Sequence, residues 1–259
     1  MASLSAALDV VFPRRCAGCG DGPWPFCSEC RAALEPLEPP WCERCGRPSA
    51  LPVPRCRDCP PEPLSSARAP FRYEGPVKAA IHRLKFTGWR DVASALAFAM
   101  VATRPPQADV VTWVPLARRR LAERGYDQAR ALAVGVGREL GIPVDRLLRR
   151  VISGSPQARR RGAERRRAMQ GAFAPLRPAP PRVLLVDDVL TTGATAAACA
   201  EALRSAGARE VHLTASARSV SRWPARPPPL PAALHERLDH AYPQTGSRPG
   251  LWLPGDHPR

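Results

Sequence analysis

The sequence predicts an α/β protein: a parallel sheet flanked by helices, preceded by a small cysteine-rich head and followed by a Pro-rich tail. Three observations carry that reading. Four Cys-x-x-Cys pairs crowd into the stretch before residue 60. Between residues 69 and 218, short apolar β-rich runs alternate with helix patterns, as in a sheet covered on both faces. Further on, the chain passes into WPARPPPLPAAL and PQTGSRPG, too rich in Pro and too weakly apolar to build a core. The expected division is a head over residues 1–64, a sheet domain over 65–218 and a disordered tail over 219–259.

The 259 residues suffice for one sizeable domain plus a small one, and 44% apolar content is ordinary for a globular chain. Net charge is +16, and of the 39 basic residues all but Lys78 and Lys85 are Arg. Together with abundant Ala and Pro, that bias is typical of GC-rich coding, so the charge permits a polyanionic partner without establishing one. No run of about 18 apolar residues exists, which excludes a spanning helix. Asp9 interrupts the apolar start MASLSAALDVVF and no basic leader precedes it, which argues against a signal peptide. A reducing cytoplasm is therefore expected, with cysteines that hold metal rather than disulfides.

The head pairs are Cys16/Cys19, Cys27/Cys30, Cys42/Cys45 and Cys56/Cys59. A Cys-x-x-Cys turn aims two thiolates at one point, and two such turns supply the four tetrahedral ligands of a structural Zn2+. Four turns supply two sites. Sequential pairing is the simplest arrangement; an interleaved cross-brace fits the spacing too. The segment has few large apolar residues, so metal should contribute much of its folding energy. No βαβ pattern accompanies the pairs, which argues against a thioredoxin-like redox role. Cys199 stands alone in an Ala-rich helix pattern and reads as a small buried residue.

After a linker at PPEP and Ser65-Ser66, PFRYEGPVKAAIHRLKFTGWRD reads as a strand, a turn at Gly75-Pro76 and a short helix ending near Gly88. Asp91 is placed to cap a helix from Val92 to Thr103. VVTWVPL, residues 110–116, is a β-rich run ending at Pro115. Helices follow over RRRLAERG, stopped by Gly125, and from Asp127 to Leu140, stopped by Gly141. The glycines of GVGRELG fall inside that second helix pattern, which argues against a nucleotide loop. Arg149, Arg150, Arg159, Arg160, Arg161, Arg165, Arg166 and Arg167 cluster in a stretch without apolar periodicity, read as a mobile loop or flap. His235, His240 and His257 lie in the tail and read as solvated.

The most informative stretch is VLLVDDVLTTGATAAACAEALRSAG, residues 183–207. Val183–Val186 is a continuous apolar run, as in a buried parallel strand, with Asp187 and Asp188 at its C-terminal end. A short loop, a helix ending at Gly207 and the strand VHLTAS complete a βαβ unit, whose ligand crevice lies at the carboxyl ends of the strands. Thr191, Thr192, Gly193, Ala194 and Thr195 bring backbone N–H groups and hydroxyls to a helix N-terminus, a site for a phosphate monoester. Two adjacent carboxylates beside a phosphate suit ribose hydroxyls or a Mg2+ shell. No Gly-Lys-Ser/Thr is present, which excludes a Walker loop.

This element resembles the phosphoribosyl-pyrophosphate motif of type I phosphoribosyltransferases: four apolar residues, two acids and TTGAT in order. The multi-Cys head joined to that motif resembles the ComF family of phosphoribosyltransferase-like proteins, associated with DNA uptake in natural competence. LKFTG (84–88), VPL (114–116), RGYDQA (124–129), Pro156-Gln157 and GAF (171–173) extend the resemblance over roughly residues 16–218. One departure is Ala168, where family members place Asn. The resemblance implies the type I phosphoribosyltransferase fold, with Asp187 and Asp188 on the ribose hydroxyls, directly or through Mg2+, and residues 191–195 on the 5-phosphate. Pyrophosphate would lie near Val114–Leu116, with Arg124, Gln157 and Arg165 closing on it. It further implies phosphoribosyl pyrophosphate or a phosphoribosylated ligand as small-molecule partner, and single-stranded DNA and a competence helicase as macromolecular ones.

Two functions follow. One is a Mg2+-dependent phosphoribosyltransferase with an unidentified acceptor. The other is a non-catalytic single-stranded DNA-binding protein that retains the phosphate pocket; the Arg cluster and zinc ribbons favour it. Against it, stacking aromatics are sparse, with Trp89, Trp113 and Tyr126 among the few candidates.

Overall fold

A computed structural model describes residues 15–151 and 171–220. In chain order the elements are α1 (Ser28–Ala32), β1 (Ser66–Arg68), β2 (Phe71–Arg72), α2 (Gly75–Phe86), α3 (Val92–Ala102), β3 (Val110–Trp113), α4 (Arg118–Arg124), α5 (Gln128–Leu140), β4 (Leu148–Arg150), β5 (Phe173–Pro175), β6 (Arg182–Leu190), α6 (Ala194–Ser205) and β7 (Glu210–Arg218). The main sheet has the order β1–β7–β6–β3, and β2 pairs β7 beyond β1. All its pairings are parallel.

The apolar run of β6 is continuous because both of its faces are covered. Leu184 and Val186 join a core with Leu96 and Met100 of α3 and Leu132 and Val136 of α5. Val183 and Leu185 join the opposite core with Ala196, Cys199 and Leu203 of α6. The head is divided between the two: Cys16, Ala17 and Phe26 belong to the first core, Cys42, Cys45 and Leu64 to the second.

Local chemistry sets the helix ends. Gly125 (φ 73°) and Gly141 (φ 66°) terminate α4 and α5 in the left-handed conformation that glycine adopts at least cost. Asp127 starts α5, its Oδ1 accepting the N–H groups of Ala129 (3.1 Å) and Arg130 (3.3 Å). A Cβ on Gly135 would lie 2.6 Å from the Cβ of Ala97, so this glycine permits close packing of α5 on α3.

The structure corrects four expectations. Asp91 makes no side-chain cap and has helical dihedrals. The turn at Gly88–Arg90 has already begun the helix, with the N–H groups of Val92, Ala93 and Ser94 bonded to the carbonyls of Trp89, Arg90 and Asp91. Gly75 and Pro76 open α2 instead of forming a separate turn, since Pro suits the first helical positions. Arg149 and Arg150 are not loop residues. They lie in β4, which pairs antiparallel with β5, with Leu148 fully buried and Arg150 5.3 Å from the ring centroid of Phe173. Finally, β6 continues through both acids to Leu190 because β7 keeps pairing with it, Asp187 opposite Ala215 and Leu190 opposite Arg218.

Gln157, Arg159–Arg161, Arg165–Arg167 and the tail from residue 221 lie outside the described residues. Among the described residues, no helix is long and apolar enough to cross a membrane.

Candidate functional site

The eight head cysteines form two clusters in sequential pairing: Cys16, Cys19, Cys27 and Cys30, then Cys42, Cys45, Cys56 and Cys59. Within each, the four sulfurs lie within 4.8 Å of one another. Tetrahedral ligands about 2.3 Å from Zn2+ stand about 3.8 Å apart. The Cys19–Cys27, Cys42–Cys59, Cys45–Cys56 and Cys56–Cys59 sulfurs are 3.9, 3.5, 3.6 and 3.7 Å apart, so the clusters fit two structural zinc ions. Backbone N–H groups support thiolates: Cys27 N donates to Cys16 Sγ (3.3 Å) and Cys56 N to Cys42 Sγ (3.2 Å). Burial pushes the Cys16 and Cys42 thiols up, yet these and neighbouring backbone donors outweigh it and bring both to about 7.

The second centre lies at the carboxyl ends of β3 and β6. Pairing between these strands runs from Val110–Val183 to Trp113–Val186, and the N–H of Val114 takes the carbonyl of Val186. Pro115 then offers no N–H, so the pairing stops and β6 carries its acids onward without β3 beside it. The chain leaves β3 toward the face covered by α5 and leaves β6 toward the face covered by α6. Neighbouring strands that diverge in this way open a crevice.

In that crevice Asp187 Oδ1 accepts the N–H of Asp188 (2.8 Å), and Asp188 Oδ2 pairs with Lys85 Nζ at 2.9 Å. Burial, then the charge of Asp188, pushes the Asp187 carboxyl up to about 8, with Lys85 acting against the rise. Among the described residues, Lys85 supplies the one ammonium on the two carboxyl groups, and a proton or a further cation can balance the pair. That donor set fits Mg2+, a hard ion that takes oxygen ligands.

Directly after the acids, Gly193 (φ 74°) occupies the N-cap position of α6, and Thr192 Oγ1 accepts the N–H of Ala194 at 3.4 Å. The first-turn N–H groups of α6 have no intrahelical acceptor and face the loop. Asp187, Leu190, Thr191, Gly193 and Thr195 line a cavity of about 30 Å³ there.

Beside the acids lies a larger groove of about 540 Å³, bounded by Tyr73, Lys85, Phe86, Arg120, Glu123 and Arg124. Among the described residues, three cations and one acid line it, an arrangement that suits an anionic small ligand. Arg124 lies 4.7 Å from the Phe86 ring centroid and donates to Gln128 Oε1 (2.8 Å). Burial, then Arg120, lowers its proton affinity, while Asp188 opposes that change. Asp127 fixes the turn after β3 to the start of α5, its Oδ2 accepting from Trp113 Nε1 (3.2 Å) and Leu116 N (3.3 Å).

Of the residues singled out from sequence, Asp187 and Asp188 lie on β6, Thr191, Thr192 and Gly193 in the loop that follows it, and Ala194 and Thr195 in the first turn of α6. Arg124 lies on the adjoining groove, whereas Gln157 and Arg165 lie outside the described residues. Lys85, Arg120 and Tyr73 also line this site, and sequence reasoning assigns none of them a role. Lys85 carried a signal nonetheless, as one of two lysines in a chain that otherwise uses Arg for positive charge. The aromatic candidates for stacking are already engaged: Trp113 is buried on Asp127, and Arg83 and Arg90 lie over Trp89 and Tyr126. Cys199 is fully buried, and burial holds its thiol well above the ordinary range.

Residues 7–60 match the double zinc ribbon domain family. DNA utilization protein YhgH of Salmonella typhi is 31% identical over 210 residues, covering 76% of this chain and 92% of that protein. Competence protein F of Haemophilus influenzae is 30% identical over 213 residues, covering 75% and 90%. Among solved structures, glutamine phosphoribosylpyrophosphate amidotransferase from B. subtilis, complexed with ADP and GMP, is similar at 25% identity and a TM-score of 0.35, over 51% of this chain and 29% of that one. With near one-third identity across nine-tenths of its curated relatives and a paired zinc ribbon, the chain belongs to the ComF family.

Proposed function

We propose that this chain binds phosphoribosyl pyrophosphate with Mg2+ at the end of β6 and serves displacement of pyrophosphate from the ribose, within the DNA-utilization and competence context that its relatives' names state. One observation carries the reading. An acid pair with the Lys85 ammonium on it is followed by a threonine- and glycine-containing helix N-terminus and borders a groove lined by Lys85, Arg120 and Arg124.

In this reading Thr191–Thr195 and the first turn of α6 hold the 5-phosphate, where N–H groups and the helix dipole favour negative charge. Asp187 and Asp188 accept from the ribose hydroxyls and hold the metal. When bound, Mg2+ supplies charge neutralisation for the pyrophosphate. Lys85, Arg120 and Arg124 face that leaving group. A nitrogen nucleophile bonds to C1 as the C1–O bond breaks; the bond pair departs on pyrophosphate, and the nucleophile's proton passes to solvent. Catalysis on this plan comes from positioning and charge, without a protein base at C1. Residues 65–218 form the ligand-binding unit, with residues 1–64 as its zinc-bearing head.

Calorimetry with phosphoribosyl pyrophosphate and Mg2+ tests the site. Binding is expected to be lost in the double variant Asp187→Ala, Asp188→Ala; no binding by the parent chain, or equal binding by the variant, overturns the proposal. Release of pyrophosphate on addition of a nitrogenous base then distinguishes turnover from binding alone.

A further inference from the structure

We propose that the second zinc cluster positions the phosphate loop, with Pro60 as the positioning residue; this rests on reading residues 191–195 as that loop. Pro60 directly follows the ligand Cys59, and its ring lies against Gly193. A Cβ on Gly193 would stand 2.5 Å from Pro60 Cβ, 3.1 Å from Cγ and 3.2 Å from Cα. Gly193 is therefore required twice, for its positive φ and for the space that Pro60 fills.

Pro60 is itself held by the cluster. Its carbonyl accepts from Arg44 Nη1 at 2.7 Å, and Arg44 Nη2 reaches the Leu64 carbonyl at 2.5 Å. Arg44 lies between the ligands Cys42 and Cys45, and its own carbonyl accepts the N–H of Ala67 in β1 (2.9 Å). A second link reaches the other end of the loop. Arg218, 2% exposed, donates to the Cys45 carbonyl at 2.6 Å and stands opposite Leu190 in the β6–β7 register. Leu190 and Gly193, which flank Thr191 and Thr192, are thus both tied to one metal cluster. The first cluster attaches elsewhere, through Arg83 of α2 on the carbonyls of Ala17 and Gly18.

A phosphate loop works by holding N–H groups in one geometry before the ligand arrives, so a rigid brace behind it favours binding. The zinc ribbon then acts as part of the ligand site.

The experiment compares Cys56→Ser, which opens cluster two, with Cys19→Ser, which opens cluster one, and with Pro60→Gly, which keeps all eight ligands. Zinc content identifies which site is lost, and hydrogen exchange of the amides in residues 191–196 is the primary readout. Cys56→Ser and Pro60→Gly are expected to speed that exchange by about tenfold or more, with Cys19→Ser near wild type. Affinity for ribose 5-phosphate should fall about fivefold or more in the same two variants only. Unchanged exchange and affinity in Pro60→Gly, or tighter binding in it, overturns the proposal even where Cys56→Ser fails to fold. If wild type binds no ribose 5-phosphate, the phosphate-loop reading fails, while amide exchange still decides whether the brace exists.

Discussion

Asp187 shows how one residue concentrates the chemistry of the site. It ends an apolar run, so burial reaches it, and Asp188 beside it opposes a second negative charge. Its folded value of about 8 lies above the ordinary 3.8, so the folded chain holds this proton more tightly than the unfolded chain. Stability therefore falls as pH rises between those values. Asp187→Asn removes that linkage, and its melting temperature is expected to exceed wild type by more at about pH 8.5 than at about pH 5. Under the proposed function, ligand binding is expected to have the opposite slope. A cation must displace the proton, so the affinity for Mg2+ with phosphoribosyl pyrophosphate should rise up to about tenfold per pH unit below about 8 and then level off. Calorimetry in buffers of different ionisation enthalpy reads the released proton directly. Lys85→Ala leaves Asp188 without its ion pair and the groove without one cation; affinity is expected to drop about tenfold, with Lys85→Arg retaining more of it.

At the scale of elements, the crevice depends on where β3 stops and how α5 begins. Asp127 serves both, capping α5 with one oxygen and accepting from Trp113 and Leu116 with the other. Burial pushes its carboxyl up while these four donors pull it down, and burial prevails. Asp127→Ala removes the cap and leaves the Trp113 and Leu116 donors unpaired. A loss of about 2 kcal/mol is expected in urea denaturation. Asp127→Asn keeps an acceptor and should lose clearly less. Equal losses in the two variants would show that packing, rather than the donor network, sets the cost.

Across the whole molecule, the two zinc clusters are built into opposite sides of one sheet. Cys16 and Phe26 share a core with Leu184, and Cys42 and Leu64 share the other with Leu185. Elemental analysis is expected to find two zinc ions per chain. Chelation should lower a single thermal transition rather than melt a separate head, because each cluster closes the end of a core shared with the sheet. A chelator-sensitive transition well resolved from that of the sheet would contradict this account.

Local chemistry made several features legible in the sequence: the eight cysteines in four knuckles, the buried strand before Asp187, the helix stops at Gly125 and Gly141, and the glycine-containing loop after β6 with its following helix. Each depends on neighbours a few residues away, through turn geometry, periodicity or capping. Asp91 shows where such local reasoning fails, since a preceding turn had already satisfied the N–H groups that a cap would have served. Tertiary structure alone decided the rest. It paired Lys85 with Asp188, 103 positions later in the chain, and placed Pro60 against Gly193. It also chose sequential over interleaved zinc pairing and extended β6 past its acids. These depend on contacts between distant segments, whose register is set by packing on two shared cores rather than by any pattern within one stretch of chain.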